Sequence, residues 1–227
     1  MMGLVGIRVI VFDVYGTLFD VHSVFQKCDE LFPGHGREIS SRWREKQLEY
    51  SFIRQMIGSY RPFDEMTRDS LRYTCEQLGV NLSAEKEREL LLAYLSLSPY
   101  EEVAQVLEQL ARNSYKLAVL SNGSPSMLYP LIEHTGYNRL LDDVISVDDV
   151  KQYKPSPQAY TYGLDRLRCR REEVLFLSSN TWDITGASTS GFRTVWVNRK
   201  HGVFDHLGVQ PDASISDLRE LSGVIKT

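Results

Sequence analysis

Residues 8–18, Arg-Val-Ile-Val-Phe-Asp-Val-Tyr-Gly-Thr-Leu, decide the fold of this chain. The run from Val9 to Asp13 is β-branched or aromatic until its last residue, a pattern typical of a strand buried on both faces. Gly16 and Thr17 then favour a loop. Because ligands of open α/β sheets lie beyond the carboxyl ends of the strands, Asp13 is predicted to stand at a site. A plain turn aspartate fits this stretch about equally well, so the remaining sequence must decide.

Composition excludes several classes of protein. The 227 residues are 42% hydrophobic and 25% charged, with a net charge of −4 and a pI near 5.8, so no nucleic-acid or anionic-membrane partner is expected. No apolar run approaches the roughly 20 residues that span a bilayer, and residues 1–8 lack the features of a signal peptide. The three cysteines, Cys28, Cys75 and Cys169, form no paired spacing and indicate thiols in a reducing compartment. We expect a cytoplasmic protein.

The order of periodic segments predicts an α/β fold with a doubly wound, parallel-sheet (Rossmann-like) core and an inserted helical cap domain. Between the first strand and residue 96 the sequence shows helical patterns and no strand, and from residue 99 helices and strands alternate. The predicted division is core over 1–20, cap over 21–96 and core over 97–227. Helices are predicted over 21–31, 39–57, 63–78, 84–95, 100–112, 124–134, 157–167, 182–190 and 216–224, and further strands over 116–120, 144–147, 173–177 and 194–197.

Polar residues follow the predicted strands repeatedly. Asp13 ends the first strand, Ser121-Asn122-Gly123 follows another, and Ser178-Ser179-Asn180 follows a third. One polar strand end is an ordinary turn, whereas several that face one crevice form a site.

Five segments together resemble the haloacid dehalogenase superfamily and, within it, the (S)-2-haloacid dehalogenases. The resemblance covers nearly the whole chain. The segments that contain Asp13 and Lys154 specify only the superfamily, which consists mostly of phosphatases, and those that begin at Arg42 and at Ser178 narrow it. The segments are Asp13-Val-Tyr-Gly-Thr-Leu-Phe-Asp20, Ser121-Asn-Gly123, Lys154-Pro155, Ser178-Ser-Asn-Thr-Trp-Asp183 and Arg42-Trp-Arg-Glu-Lys-Gln-Leu-Glu-Tyr50.

The resemblance implies a hydrolase that needs no metal and no cofactor. Ionised Asp13 attacks C2 of an L-2-haloacid and expels halide, and water then hydrolyses the resulting ester to a D-2-hydroxy acid. Lys154 keeps Asp13 ionised and screens the substrate anion.

The resemblance also implies roles for the other site residues. Thr17 and Ser178 orient Asp13, Tyr160 braces the network, and Asp183 anchors Lys154 or activates water. Ser121 and the amides of Tyr15 and Asn122 bind the substrate carboxylate, while Arg44 and Asn180 receive the halide. The apolar pocket consists of Tyr15, Leu48, Phe63 and Trp182. A homodimer is implied, with the first helices of the insert as the contact.

Two other functions remain open. A magnesium-dependent phosphatase of the same fold would use Asp13, Lys154 and Asp183, although Tyr15 and Ser179 occupy positions where such enzymes carry acidic residues. A catalytically silent binder of small molecules would keep the pocket alone. The candidate site residues also have ordinary structural interpretations. Lys154 would then lie in a surface turn, Arg44 in solvent and Trp182 in the core. Glu45 departs from the glutamine expected beside Arg44 and would weaken a halide site if it pointed inward.

Overall fold

The computed structural model describes residues 4–225, and within them the core is one parallel β-sheet of six strands. The strands lie in the order β3-β2-β1-β4-β5-β6, and every neighbouring pair is parallel. Their bounds are β1 Val9–Phe12, β2 Lys116–Ser121, β3 Asp143–Ser146, β4 Val174–Ser178, β5 Arg193–Val197 and β6 Ala213–Ile215.

The strand order places the switch point of the sheet at β1. The chain proceeds from β1 outward to β2 and β3, then returns to pair β4 with the opposite edge of β1. Phe12 is in register with Val119 of β2 and with Leu177 of β4. The polar residues that follow these strands therefore meet at one edge, as the sequence predicts.

Helices cover the sheet and fill the segment between β1 and β2. The predicted fold class is confirmed, and the helix bounds lie within a few residues of prediction. The helices are α1 Phe25–Leu31, α2 Gly36–Met56, α3 Phe63–Gln77, α4 Ala84–Tyr94, α5 Val103–Arg112, α6 Pro125–His134, α7 Pro157–Leu167 and α8 Thr181–Thr189.

The C-terminal part differs from the sequence interpretation. Residues 216–224, predicted as a helix, contain a 3₁₀ turn over Leu218–Gly223, capped by the carboxylate of Asp217. The edge strand β6 has three residues, too few for a periodic signal.

The helices α1–α4 form a unit that we call the helical insert. The chain enters and leaves it side by side, since the Asp20 amide donates to the Ser98 carbonyl (2.8 Å) and the Tyr100 amide donates to the Leu18 carbonyl (3.0 Å). These two hydrogen bonds agree with the predicted boundaries at residues 20 and 96. The division of the chain into core and cap domains stays a prediction.

None of the helices in residues 4–225 has the length and apolar character that a bilayer crossing requires.

Candidate active site

Asp13 lies one residue beyond β1 and is nearly inaccessible to solvent. Its Oδ2 accepts hydrogen bonds from Thr17 Oγ1 (3.0 Å), Ser178 Oγ (3.2 Å) and Asn180 Nδ2 (2.8 Å). Its Oδ1 accepts from Lys154 Nζ (2.9 Å). Three neutral donors on one oxygen and an ammonium on the other hold the Asp13 carboxylate in one orientation.

Lys154 lies between two carboxylates. Its Nζ donates to Asp13 Oδ1 (2.9 Å), to Asp183 Oδ2 (2.7 Å) and to the carbonyl of Leu120 (2.8 Å). Burial lowers the pKa of this ammonium, but the Asp13 and Asp183 carboxylates outweigh burial, and the pKa is raised. Lys154 is therefore a buried cation, and the surface-turn interpretation is wrong.

Asp183 is buried completely and balances the same cation from the other side. Tyr160 Oη donates to Asp183 Oδ1 (2.7 Å), so both oxygens of this carboxylate are bonded. Burial raises the pKa of Asp183 to about 6, against the opposing effect of the Lys154 ammonium. Two carboxylates share one ammonium here, so a further anion in the site needs other donors.

The loop after β2 carries Asn122, whose side chain holds the backbone of Lys154 in place. The Asn122 side chain accepts from the Lys154 amide (2.8 Å) and donates to the Lys154 carbonyl (3.4 Å). Ser121 Oγ accepts from the Gly123 amide (3.1 Å). Ser121 and Asn122 are both buried, and the Asn122 side chain holds the loop that carries Lys154.

Arg44 extends from α2 toward the strand edge. Its Nη2 approaches the Tyr15 carbonyl (3.5 Å), to which Asn180 Nδ2 also donates (3.3 Å), so the predicted halide donors converge on one point near Asp13. Glu45 is exposed and accepts from Ser41 Oγ (3.1 Å). Since Glu45 points outward, it does not pair with Arg44.

An aromatic wall closes this region. Tyr15 is buried, and its ring lies 6.0 Å from that of Phe63 and 5.9 Å from that of Tyr94. Gly123 makes room for it, since a Cβ there would lie 2.8 Å from the Tyr15 ring. The Tyr15 hydroxyl has no hydrogen-bond partner among the described residues, and burial raises its pKa.

A cavity of about 260 Å³ opens beside Asn180 and Arg44. Of the predicted pocket residues, Tyr15 and Leu48 line it. Phe63 and Trp182 lie outside its lining: Phe63 packs behind Tyr15, and Trp182 packs on Phe52 with ring centroids 5.2 Å apart. The outer lining, which sequence reasoning missed, includes His22, Arg199 and Lys200.

Sequence reasoning also missed residues that support the predicted ones. Ser179 donates its amide to Thr17 Oγ1 (2.8 Å), which leaves the Thr17 hydrogen free to point at Asp13. Gln47 accepts from Arg44 Nη1 (2.7 Å). The available signal was the spacing of Gln47 three residues after Arg44, which puts both on one helix face.

Known proteins are similar to this chain over most of its length. The family model described as haloacid dehalogenase-like hydrolase matches residues 7–191. The (S)-2-haloacid dehalogenase of Pseudomonas sp. (strain YL) is 46% identical over 221 residues, which cover 97% of this chain and 95% of that protein. A crystal structure of an L-2-haloacid dehalogenase superposes with a TM-score of 0.95 at 40% identity, covering 97% of this chain and 99% of the other.

A second solved structure holds a reacted ligand. The L-2-haloacid dehalogenase of Xanthobacter autotrophicus with chloropropionic acid covalently bound has a TM-score of 0.89 and 36% identity, covering 95% of this chain and 96% of that one. With its buried aspartate–lysine pair and these relatives, the chain belongs to the haloacid dehalogenase-like hydrolases and, among them, to the (S)-2-haloacid dehalogenase family.

Proposed function

We propose that this chain hydrolyses short L-2-haloalkanoic acids to D-2-hydroxy acids through an ester of Asp13. The observation that carries the proposal is the buried Asp13 carboxylate, paired with Lys154 at 2.9 Å and flanked by Tyr15 where a metal-dependent relative would place a carboxylate. The covalently bound chloropropionic acid in the relative from Xanthobacter autotrophicus supports an enzyme-bound intermediate.

In the first step, an Asp13 oxygen attacks C2 while the carbon–halogen bond breaks and the halide leaves with the electron pair. Attack opposite to the leaving group inverts the configuration at C2. Arg44 and Asn180 receive the halide, whose negative charge grows in the transition state, so these donors act mostly there. Lys154 offsets the repulsion between the Asp13 and substrate carboxylates.

In the second step, water attacks the carbonyl carbon of the ester, and the bond from that carbon to the substrate oxygen breaks. This oxygen takes up one proton of the water, so the hydroxy acid leaves, and release of the other proton to solvent returns Asp13 to a carboxylate. Asp13 Oδ2 faces Thr17, Ser178 and Asn180, so this oxygen is the better carbonyl oxygen and these donors stabilise its developing charge. Asp183 holds Lys154 and is the nearest buried carboxylate that can take up the proton of the water.

The substrate carboxylate needs its own donors. We assign it to Ser121 and to the backbone amides of Tyr15 and Asn122, with Lys154 as the nearby cation. Leu48 and the Tyr15 ring then face the substrate side chain, and the limited space between them favours short chains.

Chloride release from L-2-chloropropionate in metal-free buffer tests the proposal, with the D enantiomer as the control. We expect release from the L form alone, and loss of release in Asp13→Asn. A single turnover in ¹⁸O-labelled water with enzyme in excess places the label on Asp13 if the ester forms. Absence of chloride release would overturn the proposal, and label found in the product alone would overturn the ester.

The magnesium-dependent phosphatase remains the contrasting function, since Asp13, Lys154 and Asp183 fit it. The donor set opposes it: within residues 4–225, no group of three or more His, Cys, Asp or Glu side chains is placed to hold a metal ion. Magnesium prefers several hard oxygen ligands, and both Asp13 oxygens are bonded to protein donors. Magnesium-stimulated turnover of a phosphate ester would favour this alternative.

We also propose a cytoplasmic homodimer that makes contact through the helical insert. Met56 and Ile57, at the end of α2, are 76% and 64% exposed, which is unusual for adjacent large apolar residues. Cys28, Cys75 and Cys169 are free thiols, which fits a reducing compartment. Light scattering of the wild type and of Met56→Glu tests the dimer, and a monomeric wild type would contradict it.

A further inference from the structure

We propose that Gln47 is a positioning residue that aims the Arg44 guanidinium at the leaving halide while leaving its charge unpaired. The inference depends on the proposed dehalogenation. Gln47 lies in α2, one helical turn after Arg44, and its side chain is completely buried. A polar side chain in such a place must have all of its hydrogen bonds provided by the protein.

The hydrogen bonds around Gln47 have one consistent direction. Thr67 Oγ1 donates to the Phe63 carbonyl (2.8 Å), so the same oxygen accepts from Gln47 Nε2 (2.6 Å). The Gln47 Oε1 is then turned toward Arg44 Nη1 (2.7 Å) and Tyr94 Oη (3.0 Å), which both donate. The neighbouring α3 and α4 thus fix the orientation of the amide, which in turn fixes one edge of the guanidinium.

This clamp is reinforced where α2 meets α3. Trp43 Nε1 donates to the Thr67 carbonyl (2.7 Å), so side chains on both sides of Arg44 along α2 are bonded to one residue of α3. The Trp43 and Tyr94 rings also pack, with centroids 5.0 Å apart. Arg44 is therefore held by a buried scaffold, although its own side chain is partly open to the cavity.

The neutrality of Gln47 matters as much as its geometry. In the described part of the chain, Arg44 donates to an amide oxygen and a carbonyl oxygen and not to a carboxylate. A carboxylate at position 47 would form an ion pair at the same 2.7 Å and compete with the halide for the cation. Glu45, two residues earlier, is exposed and bonded to Ser41 Oγ, so it does not compete.

Gln47→Glu and Gln47→Met separate charge from geometry, with Glu45→Gln as the matched control for a change of charge beside Arg44. For L-2-chloropropionate we expect Gln47→Glu to slow halide release in the first turnover by about 100-fold, a size typical of one lost donor to a developing anion. Gln47→Met, which removes the clamp but adds no charge, is expected to lie between Gln47→Glu and the wild type. Glu45→Gln is expected to match the wild type.

Two further readouts distinguish positioning from general damage. Rapid quench measures ester formation and ester hydrolysis separately, and we expect only ester formation to slow in Gln47→Glu. Chloride is a poorer leaving group than iodide and needs more stabilisation, so the loss is expected to be larger for the chloro than for the iodo substrate. An unchanged chloride-to-iodide ratio, or equal slowing of both steps, would overturn the inference.

Bromide binding keeps the test separate from the proposed function. Line broadening of the bromide nuclear resonance reports bromide binding to the protein without turnover. Weaker bromide binding in Gln47→Glu but not in Glu45→Gln supports the inference, and equal binding in both variants overturns it. A wild type that binds bromide but releases no halide from any haloacid would refute the dehalogenation alone.

Discussion

Replacing Lys154 by Met removes the cation on which the site depends. The Nζ lies 2.9 Å from Asp13 and 2.7 Å from Asp183, and the side chain is completely buried. At an effective dielectric of about 20, each contact corresponds to about 6 kcal/mol of attraction. The cost of removing the ammonium from water offsets much of this, so the loss of one partner of a buried pair is roughly 3–5 kcal/mol.

We expect that loss to appear as protonation of the carboxylates. Without Lys154, Asp13 and Asp183 face each other without a counter-ion. Sharing one proton between the two carboxylates relieves their repulsion at the lowest cost in free energy. A protonated Asp13 is a poor nucleophile, so kcat/KM for L-2-chloropropionate at pH 7 should fall by about 10²–10⁴, since each 1.4 kcal/mol is tenfold. Part of the activity should return as the pH rises and the shared proton leaves.

The assay is chloride release from pH 5 to 10, with circular dichroism to show that the variant is folded. Lys154→Met retains most of the aliphatic volume of the side chain while removing the Nζ contacts, among them the hydrogen bond to the Leu120 carbonyl. A folded variant with activity within tenfold of the wild type at every pH would refute the assignment of Lys154 as the counter-ion of Asp13.

Three other changes test separate parts of the site. Burial raises the pKa of Asp183 to about 6, so the rate of ester hydrolysis should fall as the pH drops through about 6, where this carboxylate gains a proton, and Asp183→Asn should abolish that inflection in a rapid-quench pH profile. The Tyr15 hydroxyl has no partner among the described residues, so Tyr15→Phe should leave the free energy of unfolding unchanged or raise it by about 1 kcal/mol, measured by urea titration; a loss above 2 kcal/mol would contradict this. Lys200 is exposed at the cavity lined by Arg44 and Arg199, so Lys200→Glu should lower kcat/KM several-fold for the anionic substrate, with little change in kcat and less effect at high salt.

The strands and their polar ends were predictable because both signals are local. A buried parallel strand is apolar until its carboxyl end, so the first polar residue there marks that edge of the sheet. Asp13 directly follows β1, and Ser121 and Ser178 end β2 and β4, close to the predicted positions. Lys154 was found by resemblance, since its own surroundings in the sequence read as a turn. That this lysine is buried follows from β2, β4 and α8 meeting around it, which no local pattern encodes.

The support of Arg44 by Gln47 was missed for a different reason. Gln47 lies in a highly charged stretch of α2 that is typical of a solvated helix face, and its burial depends on packing against α3 and α4. The pocket residues show the same limit: Trp182 packs on Phe52, outside the lining of the cavity, and its predicted contact with substrate stays a prediction. Periodicity indicates which face of a helix is buried but not which residues pack against it. Packing partners that are distant in sequence are therefore found only in the structure.

We infer that the residue two positions after Asp13 contributes to the choice between the two chemistries considered for this sheet edge. A carboxylate there, beside Asp13, would supply the hard oxygen ligands that magnesium requires, and the metal would then carry the charge of a phosphate group. Tyr15 instead fills that space with a ring that packs on Phe63 and Tyr94. Lys154 then remains the cation in contact with Asp13, and a carbon–halogen bond beside an apolar wall becomes a better target than a hydrated phosphate ester.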